Sequence, residues 1–316
     1  VRPQHLAVLL VLSVIWGSAF MLVKVILDED VPPLTLVAGR VGVAAIALAV
    51  AVIATGRSFR HAGAGWRDYL VMGVANTAGP FVLLTWGQEH VDSSLAAILV
   101  ASLPLFTVVL AHYWVEERLT IEGLAGVLIG FAGVFLLIGG DLRDLTGSST
   151  LGELAIIAGA FGYAIGTVYS RAYLREADPP VIAMGQMLVA TVVVTPIAFA
   201  VEQPFDMSIS AKAALAWVAL GLLASAVAYL LFYWLIQRIT ATQASMVSYL
   251  IPIWAVLLGS LVLDEDLAST SIGGLALIIA GVWVVNGGGR WLYERFRGGS
   301  PRVEALRGGS DGPPVG

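Results

Sequence analysis

Residues 93–138 read SSLAAILVASLPLFTVVLAHYWVEERLTIEGLAGVLIGFAGVFLLI, two apolar runs joined by the short charged break Glu116-Glu117-Arg118. A helix that crosses the hydrocarbon of a bilayer needs roughly 20 mostly apolar residues. The stretch therefore predicts one span at about Ser93 to Val115 and another at Leu119 to Ile138. The same text returns, without a gap, 148 residues later: Trp86 falls on Trp234, Ala96 on Ala244, Pro104 on Pro252, Glu117 on Glu265, Leu119 on Leu267, Gly126 on Gly274 and Gly133 on Gly281. Apolar coincidences carry little weight in so hydrophobic a chain, whereas coincidences of Trp, Pro, Glu and Gly carry much more.

Working outward from this pair, the breaks at charged, Gly or Pro clusters delimit further spans at about Leu6 to Leu27, Pro33 to Ala54 and Tyr69 to Gln88. The second half adds Leu151 to Tyr173, Pro180 to Val201, Ala211 to Leu235, Thr240 to Leu263 and Leu267 to Asn286. The composition agrees: 58% of the residues are hydrophobic, 12% are charged, and the mean hydropathy is +0.88, against about a quarter charged in soluble domains. The runs are continuous, which excludes the alternating ten-residue strands of an outer-membrane barrel. Arg2 ahead of an apolar run with Gly17-Ser18-Ala19 has the outline of a secretory signal, but the apolar segment continues to Leu27, long enough to span. Without cysteine, disulfides, thiolate metal sites and cysteine nucleophiles are excluded.

Lys and Arg concentrate in the cytoplasmic loops of membrane proteins. With a cytoplasmic N-terminus, the inner segments hold thirteen of them, at 2, 57, 60, 67, 118, 171, 175, 238, 290, 295, 297, 302 and 307, and the outer segments two, Arg143 and Lys212. The outer loops are acidic instead: Asp28-Glu29-Asp30, Asp141 with Asp144, Glu202 with Asp206, and Asp264-Glu265-Asp266. The alternation works only with ten spans. The expected fold is thus an all-α polytopic membrane protein of ten transmembrane helices in two five-helix repeats. Earlier in each half the offset drifts, with Pro32-Pro33 answering Pro179-Pro180 and Gly39 answering Gly185. An odd number of helices per repeat inverts the second copy, an architecture that places a site near the midplane between repeats. The predicted division is residues 1–138 for the first repeat, 139–150 for an extracytoplasmic linker, 151–286 for the second repeat, and 287–316 for a basic, Gly/Pro-rich disordered tail. An interfacial cluster of Trp291, Tyr293 and Phe296 opens that tail.

The first helix, with Trp16-Gly17-Ser18-Ala19-Phe20 and Lys24, followed by Gly39-Arg40 in the second, resembles the EamA family of the drug/metabolite transporter superfamily. The junction from Pro104 through Glu116-Glu117-Arg118-Leu119-Thr120 into Gly123, Gly126 and Gly133 is similar to it again, as is its echo from Pro252 to Gly281. The likeness covers essentially all of residues 6–286. It implies a ten-helix basket in the inner membrane, with cytoplasmic termini, that exports amino acids or related metabolites. The second repeat departs from the first: Phe161-Gly162-Tyr163 stands where the Trp-Gly-Ser does, and Lys24 has no counterpart.

A charge inside the membrane costs at least a few kcal/mol, so it marks a functional candidate. Lys24, Arg40 and His112 are the ionisable residues placed clearly within spans. Lys24 lies within a turn of the outer end, where snorkelling beside Asp28 and a place in the site are equally good accounts. Arg40 is seven residues in, about 10 Å at 1.5 Å per residue, where snorkelling is harder, and a buried or cavity-facing role is favoured. His112, near the cytoplasmic end of its helix, fits an interfacial position. With no mid-membrane carboxylate, a carboxylate proton shuttle is not expected. Trp86 and Trp234 fall near helix ends and fit the aromatic belt. Trp16 and Trp254 sit near helix centres, where a substrate wall competes with core packing, and Tyr163 joins them as a candidate for the wall. Pro104 and Pro252 each remove a backbone donor and crowd the carbonyl four residues earlier, at Val100 and Ser248, so both helices should kink. They are candidates for gating elements, with a fixed, packing-only kink as the alternative.

The expected partners are a small-molecule substrate and the lipid bilayer, with no nucleic-acid footprint and no cofactor. A membrane-embedded enzyme would need a nucleophile with its base, paired intramembrane acids or a His-rich metal set, and none is visible. Carriage of sugar-nucleotide-like or drug-like compounds, and a channel or sensor, are the alternatives to metabolite export.

Overall fold

The computed structural model describes residues 3–59, 63–115, 120–138, 148–204, 207–245, 247–266 and 268–285. Most of the predicted linker, the tail, the Glu116-Glu117-Arg118-Leu119 motif, Asp206 and Leu267 lie outside the described residues.

Among the described residues every regular element is helical: α1 (Pro3–Leu27), α2 (Pro33–Ala54), α3 (Trp66–Gly87), α4 (Ser93–Trp114), α5 (Ile121–Ile138), α6 (Ser148–Tyr173), α7 (Pro179–Val201), α8 (Ala211–Ile236), α9 (Ala241–Val262) and α10 (Ser269–Val285). Eight are long and apolar enough to cross a membrane, while α5 and α10 are shorter apolar helices. Large aliphatic side chains cover the outside of the bundle, such as Val192 and Leu215, each 71% exposed. An apolar exterior of this extent demands lipid as its solvent.

Helices start where the sequence offers a proline or a short polar cap. Pro33 opens α2 and Pro179 opens α7, each in the first turn, where a missing N–H is harmless. The free N–H groups of three helices are bound from elsewhere in the chain. Glu202 accepts from the backbone of Leu34 (2.9 Å) and Thr35 (2.7 Å) at the start of α2. Glu265 accepts from Ser93 (2.9 Å) and Ser94 (3.0 Å) at the start of α4. Glu29 accepts from Ser210, the N-cap of α8, at 2.8 Å. A carboxylate at a helix N-terminus satisfies orphan donors and the positive end of the dipole together. Beside each glutamate stands a residue in the left-handed region, Asp30, Gln203 or Asp264, which turns the chain out of the preceding helix. The acidic loops are therefore working parts of the fold. At the opposite, basic end, Arg57 pairs with Asp178, Arg171 donates to the Ile236 carbonyl, and Gln237 donates to that of Ala177.

Helix neighbours come in matched sets. The α1/α9 contact is answered by α6/α4, α1/α8 by α6/α3, and α2/α8 by α7/α3, while α2/α7, α4/α9 and α5/α10 pair across the middle. The match extends to single residues: a Cβ on Gly221 would meet Val43 at 2.5 Å, and a Cβ on Gly73 would meet Val189 at 2.5 Å. The α5/α10 contact is the most extensive. There Gly281 lies against Gly126 and Gly130 so closely that an added Cβ would sit 2.4 Å from the backbone. Close glycine crossings are how helices associate where lipid removes the hydrophobic drive.

Candidate functional site

The third helix of each half is not regular. A π segment interrupts α3 at Val74–Ala78 and α8 at Leu220–Val227. Such widened turns leave backbone groups available and collect at functional sites. Here the Ala224 carbonyl accepts from Trp16 Nε1 at 3.1 Å, and the Asn76 carbonyl accepts from the Tyr229 hydroxyl at 3.1 Å. Pro80, four residues after Asn76, has no N–H to give to that carbonyl, which takes the tyrosine hydroxyl instead of an α-helical bond.

Around these segments lies a cavity of about 90 Å³, walled by α1, α2, α3, α4, α6, α8 and α9. Trp16, Phe81, Tyr163, Tyr229 and Phe232 form its aromatic wall, with the Trp16 ring 6.1 Å from Tyr229 and 5.9 Å from Phe232. Arg40 enters from α2, only 7% exposed. Its Nε donates to Ser225 Oγ, in the π segment of α8, at 2.9 Å, and its guanidinium lies 3.8 Å from the centre of the Phe81 ring. Among the described residues no carboxylate stands within ion-pair distance of it.

A second polar group, behind the wall, has the same plan. Gln186 on α7 is fully buried. It accepts from Asn76 Nδ2, in the π segment of α3, at 3.5 Å and from the Tyr233 hydroxyl at 2.6 Å.

Of the residues singled out from sequence, Arg40, Trp16 and Tyr163 line the cavity. Trp254 does not: its Nε1 donates to Ser13 Oγ at 3.1 Å, and its Cβ packs where Gly17 leaves room. Lys24 does not line it either, lying 3.7 Å from Asp28 and 3.5 Å from the Gln88 carbonyl. The structure thus does not bring Lys24 and Arg40 into one wall. Pro104 and Pro252 also stand outside, although their neighbours Val100, Leu103, Ser248 and Ile251 line the cavity. Ahead of Pro104 the helix breaks in a turn at Ala101 and Ser102, and Ser102 Oγ donates to the Leu99 carbonyl at 2.6 Å; α9 stays helical through Pro252. His112 packs 5.0 Å from the Tyr113 ring in the last turn of α4. Glu153, buried in α6, is an acid within a span that the sequence reading passes over, as it passes over Asn76, Phe81, Gln88, Ser225 and Tyr229. A small polar residue inside an apolar run was the available signal for Asn76 and Ser225.

The acidic end carries tuned carboxylates. Burial pushes Glu265 up, but hydrogen bonds from Ser94 and Ser93 outweigh it and hold the group below the usual carboxylate range. Burial, reinforced by Glu265, raises Asp92, with Lys24 opposing. Burial also raises Glu89, with His90 and Lys24 opposing and Glu202 adding. No group of three or more potential metal ligands occurs among the described residues.

Comparison with known proteins follows the same outline. The model of the EamA-like transporter family matches residues 5–139 and 150–287. A probable terminal-alkyne amino-acid exporter from Streptantibioticus cattleyicolor is 32% identical over 284 residues, covering 88% of this chain and 92% of that protein. The uncharacterized transporter YoaV of Bacillus subtilis is 24% identical, covering 86% and 93%, and the uncharacterized inner membrane transporter YedA of Escherichia coli is 28% identical, covering 90% and 91%. A solved crystal structure aligns with a TM-score of 0.69 at 21% identity, covering 92% of this chain and 99% of the other, and so shares the fold.

Proposed function

The chain belongs to the EamA-like transporter family, and from that membership we propose that this multi-pass membrane transporter exports a small carboxylate-bearing metabolite, an amino acid or a close relative. The observation that carries this reading is Arg40, a buried guanidinium facing a cavity with no acid among the described residues to neutralise it. An unpaired buried charge is costly, and a planar guanidinium matches a carboxylate through two parallel hydrogen bonds. The exporter from S. cattleyicolor, named for an amino acid, is consistent with this reading.

The architecture in this reading is ten spans in two inverted repeats with both termini cytoplasmic. The matched helix contacts, the paired π segments and the two family-model matches support the repeats. The thirteen-to-two distribution of cations supports the orientation, which makes the acidic end extracytoplasmic. Alternating access then consists of rocking the halves around the Arg40 cavity.

The test is counterflow of labelled small aliphatic amino acids in proteoliposomes, paired with a comparison of extracellular metabolites between cells lacking and overproducing the protein. Saturable flux of a carboxylate-bearing compound is expected. Flux that never saturates would identify a pore, and no flux of any such compound would overturn the reading.

A further inference from the structure

Gln88, at the acidic end of α3, lines the same cavity as Arg40 and is 2% exposed. Its Nε2 donates to the Leu84 carbonyl at 3.4 Å, which leaves Oε1 as the remaining polar atom of the amide. That oxygen is buried and accepts no hydrogen bond. A buried acceptor without a donor costs about 1–3 kcal/mol, and a small turn of this side chain toward the cavity that Gln88 lines would bring the oxygen to a donor held there.

Resting on the carboxylate reading of Arg40, we propose that Gln88 is the second pole of the site and accepts a hydrogen bond from a protonated amine of the substrate. The cavity then selects a compact zwitterion over a simple carboxylate.

Spacing supports this. Phe81, beneath the Arg40 guanidinium, and Gln88 are seven residues apart on α3, about 10 Å of axial rise. The hydrogen bond to Leu84 folds the glutamine amide back toward Arg40 by up to one turn, about 5.4 Å. The poles are thus between ~5 and ~10 Å apart, and two hydrogen bonds of ~2.9 Å occupy about 6 Å of that. What remains, up to ~4 Å, suits a carboxylate and an ammonium on the same or adjacent carbons. The local field agrees in sign. Lys24 is the one described cation beside Gln88, and it is faced by Asp28, with which it pairs, and by Glu89 and Asp92. Three carboxylates thus outnumber the one ammonium around this end of α3. The aromatic wall between the poles receives the apolar side chain.

Counterflow into proteoliposomes tests it with norvaline and pentanoate, which differ by the amine alone. Wild-type protein should show a KM for norvaline at least about tenfold below that for pentanoate, the discrimination expected of a hydrogen bond to a charged group. Gln88→Leu should raise the norvaline KM about tenfold or more and leave pentanoate unchanged. Gln88→Glu, which keeps the acceptor, should restore norvaline and weaken pentanoate. Equal KM values in the wild type, or equal changes for both compounds in Gln88→Leu, would overturn the second pole. Arg40→Gln, run in parallel, separates the two readings. If it weakens both compounds while Gln88→Leu discriminates neither, the pole at Gln88 falls alone. If it weakens neither, the carboxylate reading falls and takes this one with it.

Discussion

Replacing Arg40 by glutamine should cost transport without costing stability. The side chain gives up one hydrogen bond to Ser225 and the face of Phe81, contributions of about 1.5–3 kcal/mol for a bond to a charged group and about 2 kcal/mol for a desolvated cation–π contact. Ser225 keeps a partner, because its hydroxyl already donates to the Leu220 carbonyl at 3.0 Å. Against these losses stands the relief of no longer burying an ion that has no counter-charge among the described residues, several kcal/mol after relaxation. The terms nearly cancel, so the melting temperature of the purified protein, followed by the fluorescence of its nine tryptophans, should stay level or rise. Transport should respond otherwise. Loss of a charge-assisted bond to the substrate carboxylate, about 1.5–3 kcal/mol, corresponds to a 10- to 150-fold rise in KM at about 1.36 kcal/mol per decade. A neutral amide analogue of the same substrate should be affected far less. A clear drop in melting temperature, together with equal loss for acid and amide, would show that the protein keeps Arg40 for packing.

Two other expectations are independent of the substrate. Glu265 is held below the usual carboxylate range by its bonds to Ser94 and Ser93, so the stabilisation it gives is fully present above its unfolded value, about 4.3, and is lost as pH falls through the lower folded value. Glu265→Gln should therefore melt below wild type at neutral pH, with the gap closing only under strong acid; a gap that closes near neutrality would contradict the capping role. Reporter fusions after Asp206 and after Arg290 should give opposite signals, and matching signals would mean a wrong span count.

Much of the bundle is written in the hydrophobic runs, because lipid leaves a backbone no alternative to internal hydrogen bonding. The apolar stretches from Leu6 to Leu27 and from Pro33 to Ala54 accordingly resemble α1 and α2 closely. Arg40 and Trp16 were visible as cavity candidates because a cation and a mid-helix indole each need explaining. The π segments were not visible, since a widened turn changes hydrogen-bond register and leaves hydropathy untouched. The rule that drew attention to Pro104 and Pro252 applies equally to Pro80, and there it finds the carbonyl that takes the Tyr229 hydroxyl. What the rule could not supply is the partner, 153 residues away along the chain. Trp254 illustrates the converse. Its central depth suggested a substrate wall, but the missing side chain of Gly17 gives it a berth between helices, information that lies in another part of the sequence.

The correspondence between the halves also locates where they diverge. Gly39 and Gly185 are equivalent in the repeat reading, and each packs against an aromatic ring on the third helix of the opposite half, Trp217 and Tyr69 respectively. The next residues are therefore equivalent too: Arg40 and Gln186. Both reach a π segment across the interface, Arg40 at Ser225 and Gln186 at Asn76. One of the pair is a cation on the cavity wall, and the other is a neutral amide closed off by Tyr233. A duplicated scaffold with two equal cations would place two uncompensated charges in the membrane and would have no polarity of its own. With the charge on one copy only, the proposed carboxylate site has a single anion-binding pole, and a substrate with distinct ends would enter it in one orientation.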